Sequence, residues 1–109
     1  MSYSIIAVPS FRKELKRLAK KYNSLKDEIS SLFHSLEENP TIGTPIGKNC
    51  YKIWIAISSK GKGKSGGARI ITNFIVTDST VYLLSIYDKS EKDSISDREL
   101  VELLNEISE

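Results

Sequence analysis

The stretch YKIWIAISSKGKGKSGGARIIT, Tyr51–Thr72, decides the fold because its pattern changes twice within a few residues. Tyr51, Ile53, Ile55 and Ile57 alternate with Lys52, Trp54, Ala56 and Ser58, the period of two that gives a strand one apolar and one mainly polar face. From Ser58 to Gly67 only Ser, Gly and Lys occur, a composition with nothing to bury, so this is a loop. Ala68–Val76 is then rich enough in β-branched and aromatic residues to make the returning strand.

Downstream, Asp78-Ser79 marks a turn and Val81–Tyr87 reads as a further strand. Ser96 and Glu99 have the spacing of a capping box ahead of Leu100, Leu103, Leu104 and Ile107, a short amphipathic helix. Upstream, Phe11, Leu15, Leu18, Ala19 and Tyr22 share one stripe of a helix that Ser10 is placed to cap. Leu25, Ile29, Leu32, Phe33 and Leu36 repeat that spacing behind Ser24 and Asp27, which resemble a cap. Asn39-Pro40 ends the second helix before a turn-rich stretch through Gly43, Pro45 and Gly47, and Tyr3–Val8 is the first strand. The expected order is β-α-α-β-β-β-α, an α+β fold with a helical hairpin packed on a small antiparallel sheet, in one domain spanning residues 1–109.

The chain has 109 residues and a net charge of +2, too small to name a partner, but the charge is divided. Residues 1–75 carry 13 Lys/Arg against 5 Asp/Glu, whereas residues 76–109 carry 3 against 9. A basic body carries an acidic end. One cysteine, Cys50, and one histidine, His34, leave neither a disulfide nor the usual soft ligands of a structural zinc site, and no metal or cofactor is expected. No apolar run is long enough for a bilayer, and the first residues lack a secretory pattern, so a cytoplasmic protein is expected.

Three readings of the Lys/Gly loop compete. It is a solvated hairpin tip, a phosphate-binding P-loop, or a rim that grips an extended RNA backbone through Lys60, Lys62 and Lys64. Gly63-Lys64-Ser65 matches the end of a P-loop, but Ser58 stands where that motif needs glycine, and a strand follows where it needs a helix. The RNA reading accounts for both residue types, since glycine lets the backbone approach and lysine supplies charge.

The GKGKSGGAR string, the F-x-K-E-L-K-x-L opening of the first helix, the E-N-P that ends the second and LLSIYDKSE after the third strand resemble the RelE/HigB-like toxins of bacterial toxin-antitoxin systems. The resemblance covers nearly the whole chain. It implies a toxin, neutralised by a cognate antitoxin, that cuts messenger RNA on the ribosome without metal. It also implies Lys and Arg on the strands with a Tyr or His near the end of the sheet, positions held here by Lys52, Arg69, Tyr87 and Lys89. Arg69 offers a planar fork to the phosphate, Lys52 and Lys89 offer charge or a proton, and Tyr87 a proton or a stacking surface. Trp54 stands where many relatives carry a basic residue and is placed to stack a base or to lie under the last helix; Ser85 stands where the broader superfamily has arginine. Each has a plainer reading. These place Tyr87 in the core, Lys52 in solvent, Arg69 in a pair with Glu91 or Asp93, and His34 as a structural residue of the second helix. Two other functions fit the same fold: a gyrase inhibitor resembling the ParE toxins, and an inactive member that only binds antitoxin.

Overall fold

The computed structural model describes residues 2–60 and 66–108. Its elements are β1 (Ser4–Ala7), α1 (Pro9–Lys21), α2 (Leu25–Glu38), β2 (Thr44–Gly47), β3 (Cys50–Ile55), β4 (Ala68–Ile75), β5 (Thr80–Asp88) and α3 (Asp97–Asn105), with 3-10 turns at Ser58–Lys60, Val76–Asp78 and Glu106–Ser108. The sheet order is β1-β5-β4-β3-β2. The α+β architecture and the helical pair follow the sequence expectation, with one additional strand and one parallel pairing. β2 to β5 pair antiparallel in succession, while β1, separated from the rest by the two helices, returns parallel to β5.

The additional strand, β2, falls in the stretch read as turns. Gly47 pairs with Cys50 around Lys48 and Asn49, both at positive φ, which is the tight two-residue hairpin that asparagine favours. Pro45 fits because β2 is the outermost strand of the sheet, where proline is tolerated.

Two caps differ from expectation. Pro9 occupies the first turn of α1, a position its fixed φ suits, so Val8 becomes the N-cap. Ser10 instead lies inside the helix, and its N–H donates to Glu106 Oε1 at 2.9 Å, with its hydroxyl bonded to the same carboxylate. Ser24 precedes α2 in helical geometry and caps nothing; its hydroxyl donates to Ser59 Oγ at 2.8 Å. The Ser96–Glu99 capping box forms in both directions.

Phe11, Leu18, Leu25 and Leu36 of the two helices are buried in one cluster with Ile53, Ile70 and Ile86 of the sheet. These three isoleucines are mutual register partners on β3, β4 and β5, so they form one row beneath the helices. Deleting the side chain of a residue such as Ile70 would cost roughly 2–5 kcal/mol. Among the described residues no helix is long and apolar enough to cross a membrane. His34 lies exposed on α2, 3.6 Å from Glu37, rather than serving the core.

Candidate functional site

The face of the sheet opposite α1 and α2 carries the candidate residues. Side chains directly opposite each other on paired strands share a face, and the register therefore defines two rows. Trp54 pairs with Arg69, and Arg69 with Tyr87; one step along, Lys52 pairs with Ile71, and Ile71 with Ser85. A bulge sets this arrangement. Ile71 is opposite Ser85 but Thr72 is opposite Leu83, so Leu84 is skipped and the end of β5 is re-aimed.

Trp54 and Arg69 converge on one backbone carbonyl. The indole Nε1 donates to Gly66 O at 3.2 Å and Arg69 Nη1 donates to the same oxygen at 2.9 Å. Gly67 makes room: at φ +69° it adopts the left-handed region, and a Cβ there would sit 2.4 Å from Ile55 O and 2.9 Å from Trp54 Nε1. Arg69 is half-buried, while Trp54 is 53% exposed and is not covered by α3. Among the described residues the fork of Arg69 makes no ion pair with an acid: Glu91 binds Arg17 and Lys21 at 2.6 and 2.9 Å, and Asp93 binds Lys89.

Tyr87 is 4% exposed, and its hydroxyl has no hydrogen-bond partner among the described residues. Burial pushes its pKa above the ordinary phenol value, opposed by the charges of Lys89, Arg69 and Lys92 and reinforced by Asp93. Tyr87 is thus a packed residue whose phenol stays protonated at physiological pH. Lys89 Nζ also donates to the Asp93 carbonyl at 2.8 Å, and the Asp93 carboxyl is held below its usual range chiefly by Lys89, with a smaller contribution from Lys52. Lys52 is half-buried beside a hollow of about 100 Å³ that Ile46, Ile95 and Leu100 help to line.

The structure thus gathers Lys52, Trp54, Arg69, Tyr87 and Lys89 at one end of one face. Lys60 belongs to the 3-10 turn that enters the Lys/Gly loop, and Lys62 and Lys64 lie outside the described residues. Sequence reasoning missed the Gly66 carbonyl, which no side-chain pattern reveals. It also missed Asp88, fully buried on the helix side, whose Oδ2 accepts from Tyr22 Oη at 2.6 Å and whose Oδ1 accepts from Ser90 N and Oγ at 2.9 and 2.7 Å. The Asp-x-Ser spacing directly after an apolar strand was the available signal.

Comparison with known proteins identifies the fold and the family. The fold superimposes on the isolated E. coli RelE toxin with a TM-score of 0.61 at 19% identity, covering 97% of this chain and 99% of that one. A mutant of E. coli RelE in the free state gives 0.62 at 17% identity, covering 97% and 94%. The toxin in the intact E. coli RelBE toxin-antitoxin complex gives 0.60 at 19% identity, covering 78% and 94%. The family model for the RelE toxin of the RelE/RelB toxin-antitoxin system matches residues 11–108, and the chain belongs to that family of toxins.

Proposed function

We propose that this toxin acts as a ribosome-dependent mRNA endoribonuclease that inhibits translation by RNA cleavage needing no metal. The observation that carries the reading is the row Trp54–Arg69–Tyr87, with Lys52 and Lys89 beside it, on a face left open by the helical hairpin. Cleavage without metal forms a bond from the 2′-oxygen to phosphorus and breaks the bond from phosphorus to the 5′-oxygen. One proton must leave the attacking hydroxyl, one must reach the departing oxygen, and the phosphorane needs added positive charge.

Arg69 meets two phosphate oxygens with its fork, a geometry lysine lacks. Tyr87, kept protonated by burial, donates to the 5′-oxygen. Lys52 and Lys89 supply charge or a proton once the phosphate displaces Asp93, and the proton released by the attacking 2′-hydroxyl passes to water. Trp54 offers its exposed face to a base, and Lys60, Lys62 and Lys64 follow the RNA backbone. No cofactor enters this scheme. The partners are mRNA on the ribosome and a cognate antitoxin, acidic or amphipathic, that covers the basic surface in the cytoplasm.

Expression without antitoxin tests the proposal. Growth should arrest with transcripts cut inside translated codons, and Arg69→Ala should abolish both effects while leaving the fold intact. Arrest with intact transcripts and inhibited gyrase would replace this reading with a ParE-like one, and undiminished cutting by Arg69→Ala would refute the assigned chemistry.

A further inference from the structure

We propose that Asp88 is a positioning residue for the active face: from the opposite side of the sheet it fixes the strand end from which Tyr87 and Lys89 project. The inference rests on the nuclease reading above and assigns a role to the remaining members of the YDKSE segment.

Asp88 lies between the two candidate residues in sequence, but its carboxylate is buried on the helix side with both oxygens engaged within the protein, away from the face that carries Tyr87. Alternation along β5 places its side chain on the helix side and that of Tyr87 on the open side, and Lys89 follows in the turn directly beyond the strand. Its two carboxylate oxygens are engaged in different directions. Oδ2 takes the Tyr22 hydroxyl at the end of α1, and Oδ1 takes the amide and hydroxyl of Ser90, closing an Asx turn. The Asp88 carbonyl accepts from the amides of Glu91 and Lys92 at 2.9 and 3.0 Å, which completes the turn. Glu91 then reaches back to Arg17 and Lys21, five residues and one residue before Tyr22, at the same end of α1.

The same strand end is tied to the other side of the site. Lys89 N–H donates to Gly67 O at 3.1 Å, next to the Gly66 carbonyl that receives Trp54 and Arg69. Burying a carboxylate is costly, and such a group persists where its hydrogen bonds are satisfied in one geometry only. The geometry satisfied here sets the direction of Tyr87 on one side of Asp88 and of Lys89 on the other. Sub-ångström placement matters for a proton donor, because transfer requires hydrogen-bond distance to the departing oxygen.

The test uses the full chain carrying Tyr22→Phe, which keeps the ring in the core but withdraws one donor from Asp88. Ser90→Ala, at an exposed position, is the milder second variant. With translating ribosomes as substrate, Tyr22→Phe should lower kcat about tenfold and leave KM within about twofold, the pattern of an interaction realised in the transition state. Ser90→Ala should move kcat the same way by a smaller factor. Independently of RNA, the ring resonances of Tyr87, assigned by loss in Tyr87→Phe, should shift in both variants. Folded variants with wild-type kcat and an unmoved Tyr87 resonance would overturn the inference, as would a loss confined to KM. If the parent protein cuts no RNA, the nuclease reading fails, and the Tyr87 resonance alone decides whether Asp88 orients that ring.

Discussion

Arg69 and Tyr87 stand directly opposite each other on β4 and β5, so the guanidinium and the phenol share one face of the sheet. The proposed phosphate-binding cation and the proposed proton donor are thereby held by a ladder rather than by a loop. Rigid placement of this kind favours chemistry over simple adhesion.

Replacing Arg69 by lysine keeps the charge but removes the planar fork and the bond from Nη1 to Gly66 O. Arg69→Lys should cleave roughly tenfold to a hundredfold more slowly than the parent, yet faster than Arg69→Ala. Single-turnover cleavage on programmed ribosomes measures this ordering, and equal rates for the two variants would remove any role for bidentate contact.

Trp54 is the one tryptophan of the chain, and it is largely exposed beside Arg69. Its fluorescence should change on titration with single-stranded RNA and respond less to an abasic backbone of equal charge. Trp54→Ala should weaken binding by about 1–3 kcal/mol, the usual worth of one stacked base, with an unchanged urea midpoint. An identical response to the abasic backbone would assign Trp54 to surface packing.

Tyr87 buries a hydroxyl that has no hydrogen-bond partner among the described residues, which is a cost to the folded state. Tyr87→Phe should therefore be neutral or stabilising by up to about 1 kcal/mol while cleavage falls by a factor of about ten or more. The raised phenol pKa predicts a second signature. Its stabilising contribution is whole below the ordinary value of 10.0 and is lost as pH rises through the higher folded-state value, so the parent should lose stability above about pH 10 faster than Tyr87→Phe. Chemical denaturation at pH 8 and pH 11 checks both signs.

Gly67→Ala would place a methyl group against Ile55 O in a left-handed residue. A loss of about 1–3 kcal/mol is expected from the backbone strain, together with displacement of Trp54 and Arg69 from the Gly66 carbonyl. The urea midpoint reports the first effect and the fluorescence of Trp54 in the free protein the second.

Much of this architecture is legible in the amino-acid order. The stripe from Phe11 to Tyr22 and that from Leu25 to Leu36 are local patterns, and Ser96 with Glu99 is a local cap, so each formed as read. What escaped depends on neighbours far along the chain. Pro45 between two glycines looks like a turn until β3 lies beside it, and the parallel return of β1 to β5 is decided by the helices between them. Ser10 was displaced as a cap by the proline before it, and Glu106, 96 residues away, took its hydroxyl. The candidate residues were legible as types and strand positions. Their alignment in rows was not, because it depends on the skipped Leu84.

Pro45 on the outermost strand has a consequence for how copies of the molecule meet. A sheet margin interrupted by a residue without an amide hydrogen offers no continuous zipper to an identical margin. On that flank the toxin resists edge-to-edge accretion, and a crowded population of it has one fewer route into fibrils.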